Sequence, residues 1–223
     1  MKRALLILGV VALLAVPAAP VAAQWLGEPV WNSPKGGTGL TIYADYGKPN
    51  DSYGSGNAFG GRVSLGLGTL TLTAGLSTYK SDSLGPDRIT SYGGNAEFRL
   101  IGGSLLPVAV NLQVGAAHSS AVTSGTQTLP AETTVLGAVG LSVPLPTPGF
   151  SIEPYLSPGI RYHHYSNVTP DHETNFGWVI GGNLGFGLVG IHLAYDSEKF
   201  DNGTTHGVFG VGANVGIKLP LGM

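Results

Sequence analysis

The stretch FSIEPYLSPGIRYHHYSNVTPDHETNFGWVIGGNLGFGLVGIHLAYD, residues 150–196, decides the fold. Ile152, Leu156, Ile160 and Tyr162 alternate with Glu153, Tyr155, Arg161 and His163. Further on, Val189, Ile191, Leu193 and Tyr195 alternate with His192 and Asp196. A period of two is the mark of a strand with unlike faces. The charges keep to one parity, so one face avoids them throughout.

The same alternation extends in both directions from this stretch. It predicts strands near 36–47, 56–66, 69–79, 89–100, 107–118, 131–143, 150–164, 174–186, 189–196 and 206–219. No segment carries a helical period. Leu40, Ile42, Ala44 and Tyr46 oppose Thr41, Tyr43 and Asp45; Phe59, Val63 and Leu65 oppose Arg62 and Ser64. Tyr92, Ala96, Phe98 and Leu100 oppose Asn95, Glu97 and Arg99, and Val108, Val110, Leu112 and Val114 oppose Asn111 and Gln113. Long polar connections (48–56, 80–88, 119–130, 165–174, 197–205) alternate with short ones rich in Gly, Pro and apolar residues (67–68, 101–106, 144–149, 187–188). Long loops on one side and short turns on the other are the pattern of bacterial outer-membrane barrels. Ten strands put both termini on the short-turn side; eight is the other count the boundaries allow. Pro154 and Pro158 remove ladder donors from the seventh strand and predict a bulge or break there. Leu136, Val179 and Val208 fall on the polar parity, against the pattern.

Composition decides which face meets which solvent. Charged residues are 11 % of the 223, Gly numbers 36 and Cys is absent. Soluble domains carry about 25 % charged residues. A soluble barrel would expose the polar faces, normally rich in Lys and Glu; here Gly, Ser, Thr and Asn dominate them. The apolar faces are therefore expected to meet lipid. A soluble β-barrel binding protein is the alternative reading. Tyr46, Tyr92, Tyr162, Trp178 and Tyr195 lie toward the long loops, and Phe98, Phe150 and Phe186 toward the short turns, which predicts two interfacial girdles. With 11 Lys+Arg against 13 Asp+Glu, no basic field exists for nucleic acid. No Cys means no disulfide framework and no thiolate metal site.

The chain opens with Lys2-Arg3, the apolar run 4–16 and a small-residue end at Val21-Ala22-Ala23. That predicts a signal peptide over 1–23, too short to span a bilayer. Residues 24–35 are then expected as an N-terminal periplasmic segment, and 36–223 as an all-β antiparallel transmembrane barrel reached through the periplasm.

Pro154-Tyr155, Gly159 and Tyr162, then Asn175-Phe176-Gly177, Gly185 and Asp196, resemble the outer-membrane β-barrel domain family, which includes opacity-type proteins and the transmembrane domain of OmpA-like proteins. The resemblance implies location and fold, with outer-membrane lipid, lipopolysaccharide and the barrel-insertion machinery as partners. It carries no catalytic residues and no cofactor. The family usually ends in an aromatic residue, whereas this chain ends Leu221-Gly222-Met223.

His164-Tyr165-Ser166-Asn167 resembles the His-x-Ser-Asn motif of outer-membrane lipid A deacylases, which implies His164 as base and Ser166 as nucleophile. That family's Glu, about twelve residues past the Ser, corresponds here to Trp178; Glu173 is nearer but in a loop. The main reading is non-enzymatic. Arg62, Glu97, Arg99, Glu153 and Arg161 share the inner parity and are expected to form a lumen charge cluster, either as ion pairs that hold the wall or as the constriction of a small passive channel. Gly60, Gly177, Gly181, Gly210 and Gly212 on the same parity leave room for a channel. His118, His163, His164, His172 and His206 gather on the long-loop side without a metal-ligand spacing, so no metal site is assigned. The sequence names no solute or surface ligand.

Overall fold

The computed structural model describes residues 25–217 except 33, 35, 84, 86, 104, 105, 125 and 126. The predicted signal peptide and the last strand's final residues lie outside them. Ten strands form one closed antiparallel barrel: β1 (Thr38–Pro49), β2 (Asn57–Leu67), β3 (Leu70–Lys80), β4 (Ile89–Gly103), β5 (Leu106–Ser119), β6 (Glu132–Ser142), β7 (Phe150–Tyr165), β8 (His172–Phe186), β9 (Val189–Lys199) and β10 (Thr205–Ile217). Each pairs with the next, and β10 returns to β1 with Leu40 opposite Ile217 and Pro49 opposite Val208. Closure removes the open edges that lipid cannot satisfy. A small hairpin, Val122–Ser124 with Gln127–Leu129, tops the β5–β6 loop.

The faces are inverted relative to a soluble barrel. Val114 is 61 % exposed and Ile160 59 %, while Arg161 is 1 % and His192 2 % exposed. Charge inside and large aliphatics outside exclude the soluble alternative, because water would meet the apolar face. Among the described residues no helix is long and apolar enough to cross a membrane; strands make the crossing. Both girdles form: Tyr46 packs on Phe59, Trp178 on Tyr195, and, at the short-turn end, Phe150 on Phe186.

One expectation is narrowed and another corrected. Of the bulge or break expected at Pro154 and Pro158, the bulge is absent and the break is confined to the ladder with β6. Ile152 lies opposite Leu184 and Tyr162 opposite Thr174 without a register shift. The pairing to β6 skips Ser157 and Pro158, but the pairing to β8 is unbroken and holds the parity. The register shifts instead between β4 and β5, at Arg99, Ile101 and Gly103. Gly102 there has φ 117°, open to glycine alone at little cost.

The correction concerns residues 24–35. Of this expected periplasmic segment, Trp25, Glu28, Val30, Trp31 and Asn32 are all buried. Residues 25–32 of it fill the lumen. Trp25, Val30 and Trp31 form an apolar cluster with Leu136, Ala138, Tyr155, Val179 and Ala194. Leu136 and Val179, the residues that broke the inner pattern, are sockets for this plug.

Candidate functional site

The plug is tied to the wall through its backbone. Leu26 N–H donates to Ser91 Oγ (3.0 Å), Val30 N–H to Asp196 Oδ2 (2.8 Å), and Ser77 Oγ donates to the Leu26 carbonyl (3.3 Å). The space at the inner glycines that left room for a channel is occupied, at two by the plug and at three by side chains of the wall. A Cβ at Gly210 would strike Pro29 and Trp31, and one at Gly47 the Gly27 carbonyl. At Gly177, Gly181 and Gly212 the space is taken by Arg161, Tyr155 and His192, and at Gly60 by Glu28.

Two charge networks flank the plug. Toward the short turns, Arg62 holds Asp45 in a two-point grip, Nε to Oδ2 at 2.6 Å and Nη2 to Oδ1 at 3.1 Å. His192 Nε2 lies 2.6 Å from Asp45 Oδ1, and Asn214 Nδ2 reaches its Nδ1 at 3.4 Å. Arg62 Nη2 also lies 3.3 Å from His192 Nε2, so the ring joins the Arg62–Asp45 pair. The Arg62 guanidinium lies over the Tyr43 and Trp31 rings, at 4.1 and 5.1 Å. Trp31 belongs to the plug, so this network also anchors it.

Toward the long loops, Arg161 bridges Asp196 (2.7 Å) and Glu198 (2.9 Å). His163 sits between Glu198 (Nε2, 2.5 Å) and Glu132 (Nδ1, 2.6 Å). Both ring nitrogens face carboxylate oxygens, so both carry protons and His163 is an imidazolium. Asn175 adds a third donor to Glu198. A continuous chain runs from the plug's Val30 amide through Asp196, Arg161, Glu198 and His163 to Glu132 at the rim.

Of the five expected lumen charges, Arg62, Glu97 and Glu153 line one cavity at the short-turn end, and Arg161 lies with Asp196 and Glu198 toward the long loops. Arg62 and Arg161 pair with Asp45, Asp196 and Glu198, along the wall. Glu97 accepts from Asn95 and Asn111, and Asn111 also reaches Asn32 of the plug. Glu153 accepts from Ser142 and Asn183. Arg99 stands half-buried at the short-turn end beside Gly36. Glu132 and Glu198 were assigned to loops or strand ends by the alternation, yet complete the upper network.

His164 and Ser166 do not form a dyad: no hydrogen bond joins them among the described residues. His164 points outward on the lipid parity, opposite Thr133 and His172. Ser166 sits in the turn with its N–H on the Ala131 carbonyl. Glu173 accepts from the Tyr165 hydroxyl at 2.7 Å. Asp171 in the adjoining loop is held below the usual carboxylate range by the hydrogen bond with His172. Among the described residues no three His, Asp or Glu side chains converge as metal ligands.

The plug divides the lumen into two cavities with no shared lining residue. The one at the short-turn end, about 380 Å³, holds Arg62, Glu97, Glu153 and His192. The other, about 480 Å³, is a cup beneath the long loops with Leu26 of the plug in its lining. Tyr53 lines the cup, and burial pushes its hydroxyl well above the usual range.

No protein-family model and no curated protein matches the chain. Solved structures that resemble it are outer-membrane barrels. A bacterial polysaccharide outer-membrane secretin is 12 % identical at TM-score 0.48, over 74 % of this chain and 57 % of its own, so this chain spans little more than half of it. The β domain of the Bordetella autotransporter BrkA is 12 % identical at TM-score 0.48, over 80 % and 99 %. The outer-membrane protease OmpT of Escherichia coli is 8 % identical at TM-score 0.40, over 81 % and 94 %. Similarity this distant leaves the chain's activity to its own residues.

Proposed function

We propose that this chain is an outer-membrane surface barrel with a closed lumen, whose role is exerted by the long-loop face and not by solute passage. Export by residues 1–23, transit of the periplasm, insertion by the barrel machinery and residence beside lipopolysaccharide belong to this reading. One observation carries it: Trp25–Asn32 fills the lumen, bonded to the wall and packed in glycine clearances. A plug built into the chain leaves the small-channel reading without a continuous path. Single-channel recording on the refolded mature protein is expected to give no discrete conductance. The same barrel lacking residues 24–35 is expected to give steps. Steady conductance from the intact protein would overturn the reading.

His164 and Ser166 are given no catalytic role. Replacing Ser166 with Ala is expected to leave lipid A acylation of the host membrane as the unsubstituted protein leaves it. A change in acyl number that tracks Ser166 would restore the deacylase reading.

A further inference from the structure

We infer that the outward cup is a binding site for a small organic cation, an ammonium group carried on an aryl or alkyl body. The inference rests on the surface role proposed above and names the ligand class for that face.

The cup's volume, about 480 Å³, lies within the range of small-molecule sites. Part of its wall is an unbroken run of rings. His163 is 5.5 Å from Phe200, Phe200 4.0 Å from His206, His206 4.9 Å from Tyr53, and Tyr53 5.7 Å from Tyr79, centroid to centroid. The faces of Phe200, Tyr53 and Tyr79 attract cations and receive flat apolar bodies, and the effect grows where water is excluded. Ile89, Leu129 and the plug's Leu26 supply further apolar lining.

The charge of the cup is net negative, three carboxylates against the imidazolium of His163. Asp51, Glu132 and Glu198 line it, and no Lys or Arg does. The upper network sets three carboxylates, Asp196, Glu198 and Glu132, against two cations, Arg161 and His163, so one negative charge remains. Its location is legible from the bonds. Glu198 uses both oxygens, on His163 and Asn175 through Oε1 and on Arg161 through Oε2. Glu132 accepts from His163 and Thr134 through Oε1 alone. Its Oε2 has no partner among the described residues. A carboxylate oxygen beside a desolvated aromatic wall stabilises a cation and disfavours an anion. The imidazolium of His163 offers an anion nothing, because both its N–H groups are committed.

The test is calorimetric titration of the full mature protein, folded in octyl glucoside, with phenethylammonium, 2-phenylethanol and phenylacetate. These share a body and differ in charge. Phenethylammonium is expected to bind at least tenfold more tightly than the neutral alcohol, and phenylacetate not at all. Glu132→Gln is expected to remove that tenfold preference, and Phe200→Ala to weaken all binding while the preference persists; heat-dependent gel mobility verifies that each variant is folded. Equal binding of the amine and the alcohol, or no binding of the amine, overturns the inference. Conductance of the same preparation is recorded separately. A conducting protein that still binds the amine overturns the closed lumen and leaves the cup; a silent protein that does not bind it overturns the cup alone.

Discussion

Arg161 holds Asp196 and Glu198 together inside the wall, with all three side chains at most 3 % exposed. Removing the cation would strand buried Asp196 and leave Glu198 to His163 and Asn175 alone. Arg161→Met is therefore expected to lower stability by about 3–5 kcal/mol, seen as an earlier urea midpoint. Adding Asp196→Asn and Glu198→Gln to the same chain is expected to recover most of it, because the cost lies in the unpaired charges and not in the missing side chain. Gly47 carries a different constraint. Its missing Cβ is where the Gly27 carbonyl passes. Gly47→Ala is expected to unseat the plug with the barrel still folded, read as new conductance steps with unchanged gel mobility. Parity placed Arg161 and Asp196 on the same inner face. It did not place Glu198, which extends the same parity two residues past the expected end of β9.

The strands were legible because their pattern is local: two-residue alternation needs no knowledge of what lies across the barrel. The prolines of β7 were legible as a break, which falls only on the ladder to β6; the unbroken register to β8, which the neighbouring strand preserves, was not legible. The plug was illegible for a related reason. Its sequence, WLGEPVWNSP over 25–34, has no period and reads as a periplasmic segment. Two signals were present. The segment holds two of the chain's 3 Trp residues, unusual for a stretch left in water. Leu136 and Val179 faced inward where the alternation asked for polar residues, and apolar sockets imply an apolar occupant. Parity gave the lumen charges their face and not the neighbours along it.

At the scale of the molecule the stabilising solvent is lipid outside and the chain's own polar groups inside. Ile180, 54 % exposed near the middle of β8, lies in the apolar band. Ile180→Arg is expected to cost about 2–4 kcal/mol when unfolding is followed in bilayers, and much less in micelles, where the head group reaches water. Equal losses in both would argue against a lipid-facing position.

The seam between β1 and β10 joins residues near opposite ends of the described chain, with Leu40 against Ile217. The plug's firmest holds, Asp196 on Val30 and the Gly210 clearance for Pro29 and Trp31, belong to β9 and β10. During synthesis the first-made segment of the barrel chain therefore waits for the last-made strands before it has a seat. Assembly has a direction: a partly built sheet must hold an unhoused tryptophan-bearing tail until closure. The moment of sealing and the moment of completion are then the same event.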